Sequence, residues 1–129
     1  NACIQLINKK RGHEETIKHL ETIPARVPVL ISSIVESELR YGIAKSRDTT
    51  ANTTLLDRFF LDFSVVAYDS AAARAYGEIR AVLESKGKAI GPLDTLIAAH
   101  ALSSKATLIT NNIREFSRVP GLTCENWVA

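Results

Sequence analysis

The 129-residue sequence contains no methionine, and its only two cysteines, Cys3 and Cys124, stand at opposite ends with no Cys-x-x-Cys spacing. Zinc sites and dithiol redox motifs commonly show thiols or imidazoles at short spacing, so neither is indicated and the two thiols are expected to be reduced and partly buried. Without a methionine, residues preceding Asn1 are expected in the translated protein. Apolar runs are short: Pro28 to Ile31 and Ser64 to Ala67 fall far below the ~20 residues that a bilayer demands. The first residues show no basic segment, apolar stretch and small-residue cleavage site, so a cytoplasmic location is expected. Charge of one sign is scarce too, since 16 basic residues face 14 acidic ones for a net +2. That balance does not announce nucleic-acid binding as a strongly basic domain would. One tryptophan, three tyrosines and four phenylalanines make a poor platform for stacking bases.

Several catalytic signatures are absent as well. There is no Gly-x-x-x-x-Gly-Lys phosphate loop and no dinucleotide fingerprint, and Ser32 and Ser33 lack a Gly-x-Ser-x-Gly setting. His13, His19 and His100 are scattered, without His-x-x-x-His or Glu-x-x-His spacing. Phosphate-loop nucleotide hydrolysis, hydride transfer and acyl transfer lose their support. An α/β phosphatase would need an Asp-x-Asp pair, which no stretch supplies.

What is present fits one domain over residues 1–129, with 46% apolar and 23% charged residues and no linker or repeat. Ala2 to Asn8 reads as helical, and His13 to Ile23 carries Ile17, Leu20 and Ile23 at three-residue spacing before Pro24. Val29 to Ser32 is a short buried strand. Ser33 with Glu36 forms a capping box for a helix striped by Val35, Leu39 and Ile43, fading near Ser46. A helix over Asn52 to Phe63 and a strand over Ser64 to Tyr68 follow. Asp69 caps a long helix that Gly87 stops near Lys86, and Gly91-Pro92 opens another through Ser103. Thr107 to Thr110 and Leu122 to Glu125 read as strands. Short apolar strands alternating with helices imply an α/β fold of three layers, α/β/α, around a mostly parallel sheet of four or five strands. Ligands of such sheets bind at the carboxyl ends of the strands, which points to Asn1, the helix after Ser32, and Asn111 with Asn112.

Oxygen donors collect at those places. Glu38 lies beside the apolar stripe of its helix, with Gly42 one turn on leaving space next to it. Asp94 occupies a helix first turn, where the positive end of the helix dipole favours a carboxylate, and shares a face with Ala98 and Ala101. Asn111, Asn112, Arg114 and Glu115 follow a strand end. Each has a plainer reading: a surface acid beside a helix-packing glycine, a charge that merely steadies a helix end, and turn-forming amides. Taken together, Glu38, Asp94 and Asn112 or Glu115 offer oxygen without sulfur or imidazole, which suits Mg²⁺ or Mn²⁺ and phosphodiester hydrolysis. Lys9, Lys10 and Arg11 form one basic cluster, and Arg114 with Arg118 lies beside the proposed site.

Four segments, in order, resemble the motifs of PIN-domain ribonucleases, and of VapC-type toxins among them. Asn1-Ala2-Cys3-Ile4 resembles the end of the Asp-Thr-Asn-x-x-Ile opening, and Ser33 to Gly42, with Glu38-Leu39-Arg40-Tyr41-Gly42, the second motif. Ile90 to Asp94 resembles the third and Thr110 to Phe116 the last, while the run to Trp127 is similar to a VapC carboxyl end. The resemblance implies a PIN fold and a Mg²⁺- or Mn²⁺-dependent endoribonuclease, the toxin of a type II toxin–antitoxin pair. Glu38, Asp94 and Asn112 or Glu115 would hold the metal, with an Asp two residues ahead of Asn1. Asn112 departs from the Asp found in many relatives. The resemblance further implies RNA, commonly tRNA, as substrate, with Arg114 and Asn111 holding it, a VapB-like antitoxin as partner, and a homodimer, for which Phe59 and Phe60 offer a surface. The competing expectation is a non-catalytic PIN-like module that binds RNA or protein.

Overall fold

In a computed structural model the chain is described over residues 3–5, 29–61, 63–110 and 112–126. The helix expected over His13 to Ile23, the Lys9 to Arg11 cluster, Asn1, Asn111 and Trp127 lie outside these residues. Five parallel strands form one sheet in the order β3-β2-β1-β4-β5, the upper of the two expected counts. They are β1 Cys3–Gln5, β2 Val29–Ser32, β3 Ser64–Val66, β4 Thr107–Ile109 and β5 Cys124–Glu125. Among the described residues the helices are α1 Ser33–Ala44, α2 Thr49–Leu61, α3 Ser70–Ser85, α4 Pro92–Ser103 and the single turn α5 Ile113–Phe116.

The first expectation to be overturned is the helix over Ala2 to Asn8. Cys3–Gln5 is the central strand, with Ile4 opposite Leu30 of β2 on one side and Leu108 of β4 on the other. Two ladders of hydrogen bonds outweigh the weak helical spacing of a short apolar segment. The capping box is the second correction. Ser32, one residue earlier than expected, caps α1 by accepting the Ile34 N–H at 3.1 Å. Ser33 Oγ instead accepts the Tyr68 N–H at 3.0 Å, and Glu36 pairs with Arg40. Helix α2 begins three residues before its expected start because Asp48 Oδ1 accepts the Ala51 N–H.

Elsewhere the local chemistry acts as expected. Asp69 Oδ1 accepts the Ala72 N–H at the start of α3. Gly87, at φ 66°, follows its end in the left-handed region where glycine carries no steric cost. Helix α4 is deeply enclosed: Thr95, Ile97, Ala98, Ala99, His100 and Ala101 are all buried. Its alanines let it lie close to α3, β2 and β4, so it is held on several sides. The core continues through Ile31, Val35, Leu83, Leu108, Phe116 and Val119. Helix α2 sits at the periphery. Phe59 and Phe60 pack partly against the core, whereas Leu55 and Leu61 are exposed. Arg40 ties α2 to α1 by reaching Asp57 at 2.9 Å. Among the described residues no helix is long and apolar enough to cross a membrane.

Candidate active site

Three helices bring acids to the carboxyl edge of the sheet. Helix α1 leaves the end of β2 and carries Glu38 in its second turn, half-buried. Helix α4 begins at the same edge, because it must run back across the sheet to feed β4, and it carries Asp94 in its first turn. The single turn α5 follows β4 and carries Glu115.

Glu115 is held from two directions. Its Oε1 accepts the Gly91 backbone N–H at 3.0 Å and its Oε2 accepts the Asn112 amide at 2.7 Å. The Gly91 N–H is one of the donors that a helix start leaves without an intrahelical partner, so a carboxylate belongs there. The Gly91 N–H above all, then the Asn112 amide, Asp94 and the charge of Arg118 hold Glu115 below its ordinary carboxylate range against the opposing effect of burial. Asp94 is driven the other way. Burial first, then its hydrogen bond to Glu115 and the charges of Glu115 and Glu38, push it up to about 6. Below about pH 6 the proton of that hydrogen bond therefore resides on Asp94, and Glu115 accepts it. A Cβ at Gly91 would stand 3.7 Å from Asp94 Oδ2 and 3.9 Å from Glu115 Oε1, so the glycine leaves open space over both carboxyls.

The expected site residues thus divide. Asp94 and Glu115 meet, and the charge of Glu38 is felt at Asp94. Asn112, expected among the metal donors, spends its amide on orienting Glu115. Arg114 is exposed, while Arg118 bonds to the Ala89 carbonyl at 3.2 Å with its charge felt at Glu115. Among the described residues no three His, Cys, Asp or Glu side chains close into a group that could hold a metal ion by themselves. The donor set still fits a hard divalent cation: it is all oxygen, and the like charges of Glu115 and Glu38 that raise Asp94 are a repulsion that a cation would relieve.

Sequence reasoning missed two contacts. One is the Gly91 N–H, whose signal was the unpaired donor at a Gly-Pro helix start. The other is a buried hydrogen bond between Ser32 Oγ and His100 Nδ1 at 2.7 Å. Its signal was a lone polar residue within the otherwise apolar stretch Leu96 to Leu102.

Comparison with known proteins identifies the family. The family model described as PIN domain matches residues 1–122. Ribonuclease VapC2 of Rickettsia felis is 42% identical over 128 residues, spanning 98% of this chain and 93% of that protein. The tRNA(fMet)-specific endonuclease VapC of Salmonella typhimurium is 40% identical over 127 residues, with the same two coverages. Among solved structures, VapBC2 from Rickettsia felis bound to a promoter DNA fragment superimposes with a TM-score of 0.87 at 37% identity, covering 98% of this chain and 99% of that one. Four motifs in family order, a parallel α/β sheet and acids gathered at its carboxyl edge place this chain in the PIN-domain family, among the VapC ribonucleases.

Proposed function

We propose that this toxin ribonuclease hydrolyses phosphodiester bonds of tRNA, using Mg²⁺ or Mn²⁺ held by Glu38, Asp94 and Glu115. The observation that carries the reading is the meeting of Asp94 with Glu115, under the charge of Glu38, at one edge of the sheet. When bound, a divalent cation there supplies Lewis acidity toward the phosphoryl oxygens and a supply of hydroxide. Glu115, fixed by Gly91 and Asn112, keeps its charge and so presents a ready acceptor. Asp94 gives up its proton to become the second one. Arg118, and Arg114 with Asn111 from the same segment, offer positive or amide donors to the RNA backbone.

The tRNA assignment follows the Salmonella typhimurium relative named for tRNA(fMet). An antitoxin partner follows the VapBC complexes that this fold matches, and a homodimer is part of the same proposal. The test is cleavage of labelled initiator tRNA by the full protein with Mn²⁺, beside Asp94→Asn. Cleavage lost in the variant supports the reading, and cleavage retained discards the site. Binding of RNA by the unsubstituted protein without cleavage would instead favour a non-catalytic module.

A further inference from the structure

Ser32 and His100 are both almost fully buried, at 0% and 1% exposure, and their side chains meet at 2.7 Å. The His100 ring also hydrogen-bonds to the Ala67 backbone carbonyl, which can only accept. One ring nitrogen therefore donates to Ala67, and Nδ1 accepts from the Ser32 hydroxyl, a tautomer assigned from its partners. With its proton committed to His100, Ser32 Oγ directs a lone pair at the Ile34 N–H, which is the cap of α1. The ring of Tyr68 packs edge-on against His100 at 5.6 Å, and the Tyr68 N–H bonds to Ser33. One buried polar knot thus joins the start of α1, the loop after β3 and the last turn of α4.

Its place relative to the acids is what gives it a consequence. Glu38 lies six residues beyond Ser32 on α1, and Asp94 lies six residues before His100 on α4. At 1.5 Å of rise per residue, the knot is roughly 9 Å along each helix from the carboxyl it governs. Helix α1 has Val35 as its one fully buried residue, with Ile34 and Leu39 partly buried against the core, so its apolar packing leaves room for adjustment. Apolar contacts are non-directional and let helices slide, whereas a buried hydrogen bond fixes distance and angle.

We infer that the Ser32–His100 hydrogen bond is a positioning device, setting α1 against α4 so that Glu38 and Asp94 stand at the spacing a divalent cation needs. Neither residue touches the cation or the RNA. The inference rests on the acidic site proposed above.

The test measures Mn²⁺ binding by calorimetry, melting temperature in EDTA, and kcat and KM on labelled tRNA. The proteins are the unsubstituted chain, Ser32→Ala, His100→Leu, His100→Asn, Ser32→Ala with His100→Leu, and Asp94→Asn. Groups bonded directly to a metal ligand are worth roughly 10- to 100-fold in affinity, and this pair stands one step further out, so Ser32→Ala and His100→Leu should each weaken Mn²⁺ binding about fivefold to tenfold. The double variant should be no weaker than the poorer single one, since the pair acts as a unit. His100→Asn keeps an acceptor for Ser32 and should recover most of the affinity, with KM for RNA unchanged throughout. Wild-type Mn²⁺ affinity in Ser32→Ala overturns the inference. So does a loss that follows melting temperature across all variants, His100→Asn included, which is the behaviour of simple core packing. Should His100→Leu fail to fold, Ser32→Ala decides. Unchanged Mn²⁺ binding in Asp94→Asn would instead sink the acidic site itself.

Discussion

The Glu115 carboxylate accepts the backbone N–H of Gly91 at 3.0 Å, across twenty-four residues of sequence. That bond clamps the turn after β4 to the first turn of α4, where two neighbouring acids are held in different states. Glu115 is kept ionised by donors, while Asp94, with burial and like charge around it, holds a proton up to about pH 6.

Proton and cation compete for Asp94, so Mn²⁺ affinity should fall about tenfold per pH unit below about 6. Glu115→Gln removes the like charge but not the burial, so the midpoint should move part of the way toward the ordinary 3.8. Calorimetric titrations between pH 5 and 8 in both proteins check this, and a pH-independent affinity would refute it.

The same group makes the metal-free protein pH-sensitive. Its folded pKa is raised, so its contribution to stability is complete below 3.8 and is lost as pH rises through about 6. Glu115 has the opposite sign: its pKa is lowered, so its contribution is present above 4.5 and is lost as pH falls through its folded value. Melting in EDTA should therefore weaken from pH 5 to 7, less so in Asp94→Asn, and Mn²⁺ should reverse the loss.

Gly91→Ala isolates the open space above the two carboxyls. At φ −57° the backbone suits alanine, and the added methyl would make ordinary contacts of 3.7 and 3.9 Å. Stability should stay within about 0.5 kcal/mol, as for an unstrained substitution. Mn²⁺ binding should weaken severalfold because the methyl covers the oxygens. Equal affinity would show that the cation approaches from elsewhere.

Asn112→Ala takes the side-chain amide donor from Glu115 and leaves the Gly91 N–H. Asn112 is exposed, so urea denaturation should change little. The Glu115 pKa should rise toward its ordinary value, and kcat should drop while KM for tRNA holds. An unaltered kcat would leave Asn112 as a turn former alone.

Phe116, fully buried beside Glu115, anchors α5 to the core. Phe116→Ala should cost about 3–5 kcal/mol in urea denaturation, as buried Phe truncations do. Phe116→Leu should cost far less and keep the activity.

Local signals in the sequence were strong wherever one residue decides a boundary. Asp69, Gly87 and Gly91-Pro92 marked the limits of α3 and α4 because capping, positive φ and ring geometry act within one turn. The strand Cys3–Gln5 was hidden, since its three residues are defined by neighbours 26 and 104 positions away, Val29 and Thr107 opposite Cys3. Helix α5 was hidden for another reason, as four residues cannot display a helical period. At the site, oxygen chemistry named Asp94, Glu38 and Glu115, but no spacing rule tells that Glu115 faces Asp94 while Asn112 serves Glu115. The exchange of Ser33 for Ser32 as cap likewise depended on His100, which the linear sequence places 68 residues away.

The central position of β1 sets an order on synthesis. As the chain emerges, β1 can pair with β2 and then β2 with β3, yet the other flank of β1 stays bare until Thr107–Ile109 has been made. Glu115 comes later still, so a partly translated chain has no assembled acidic edge. The carboxyl edge of the sheet therefore closes only after the segment through Glu115 has left the ribosome.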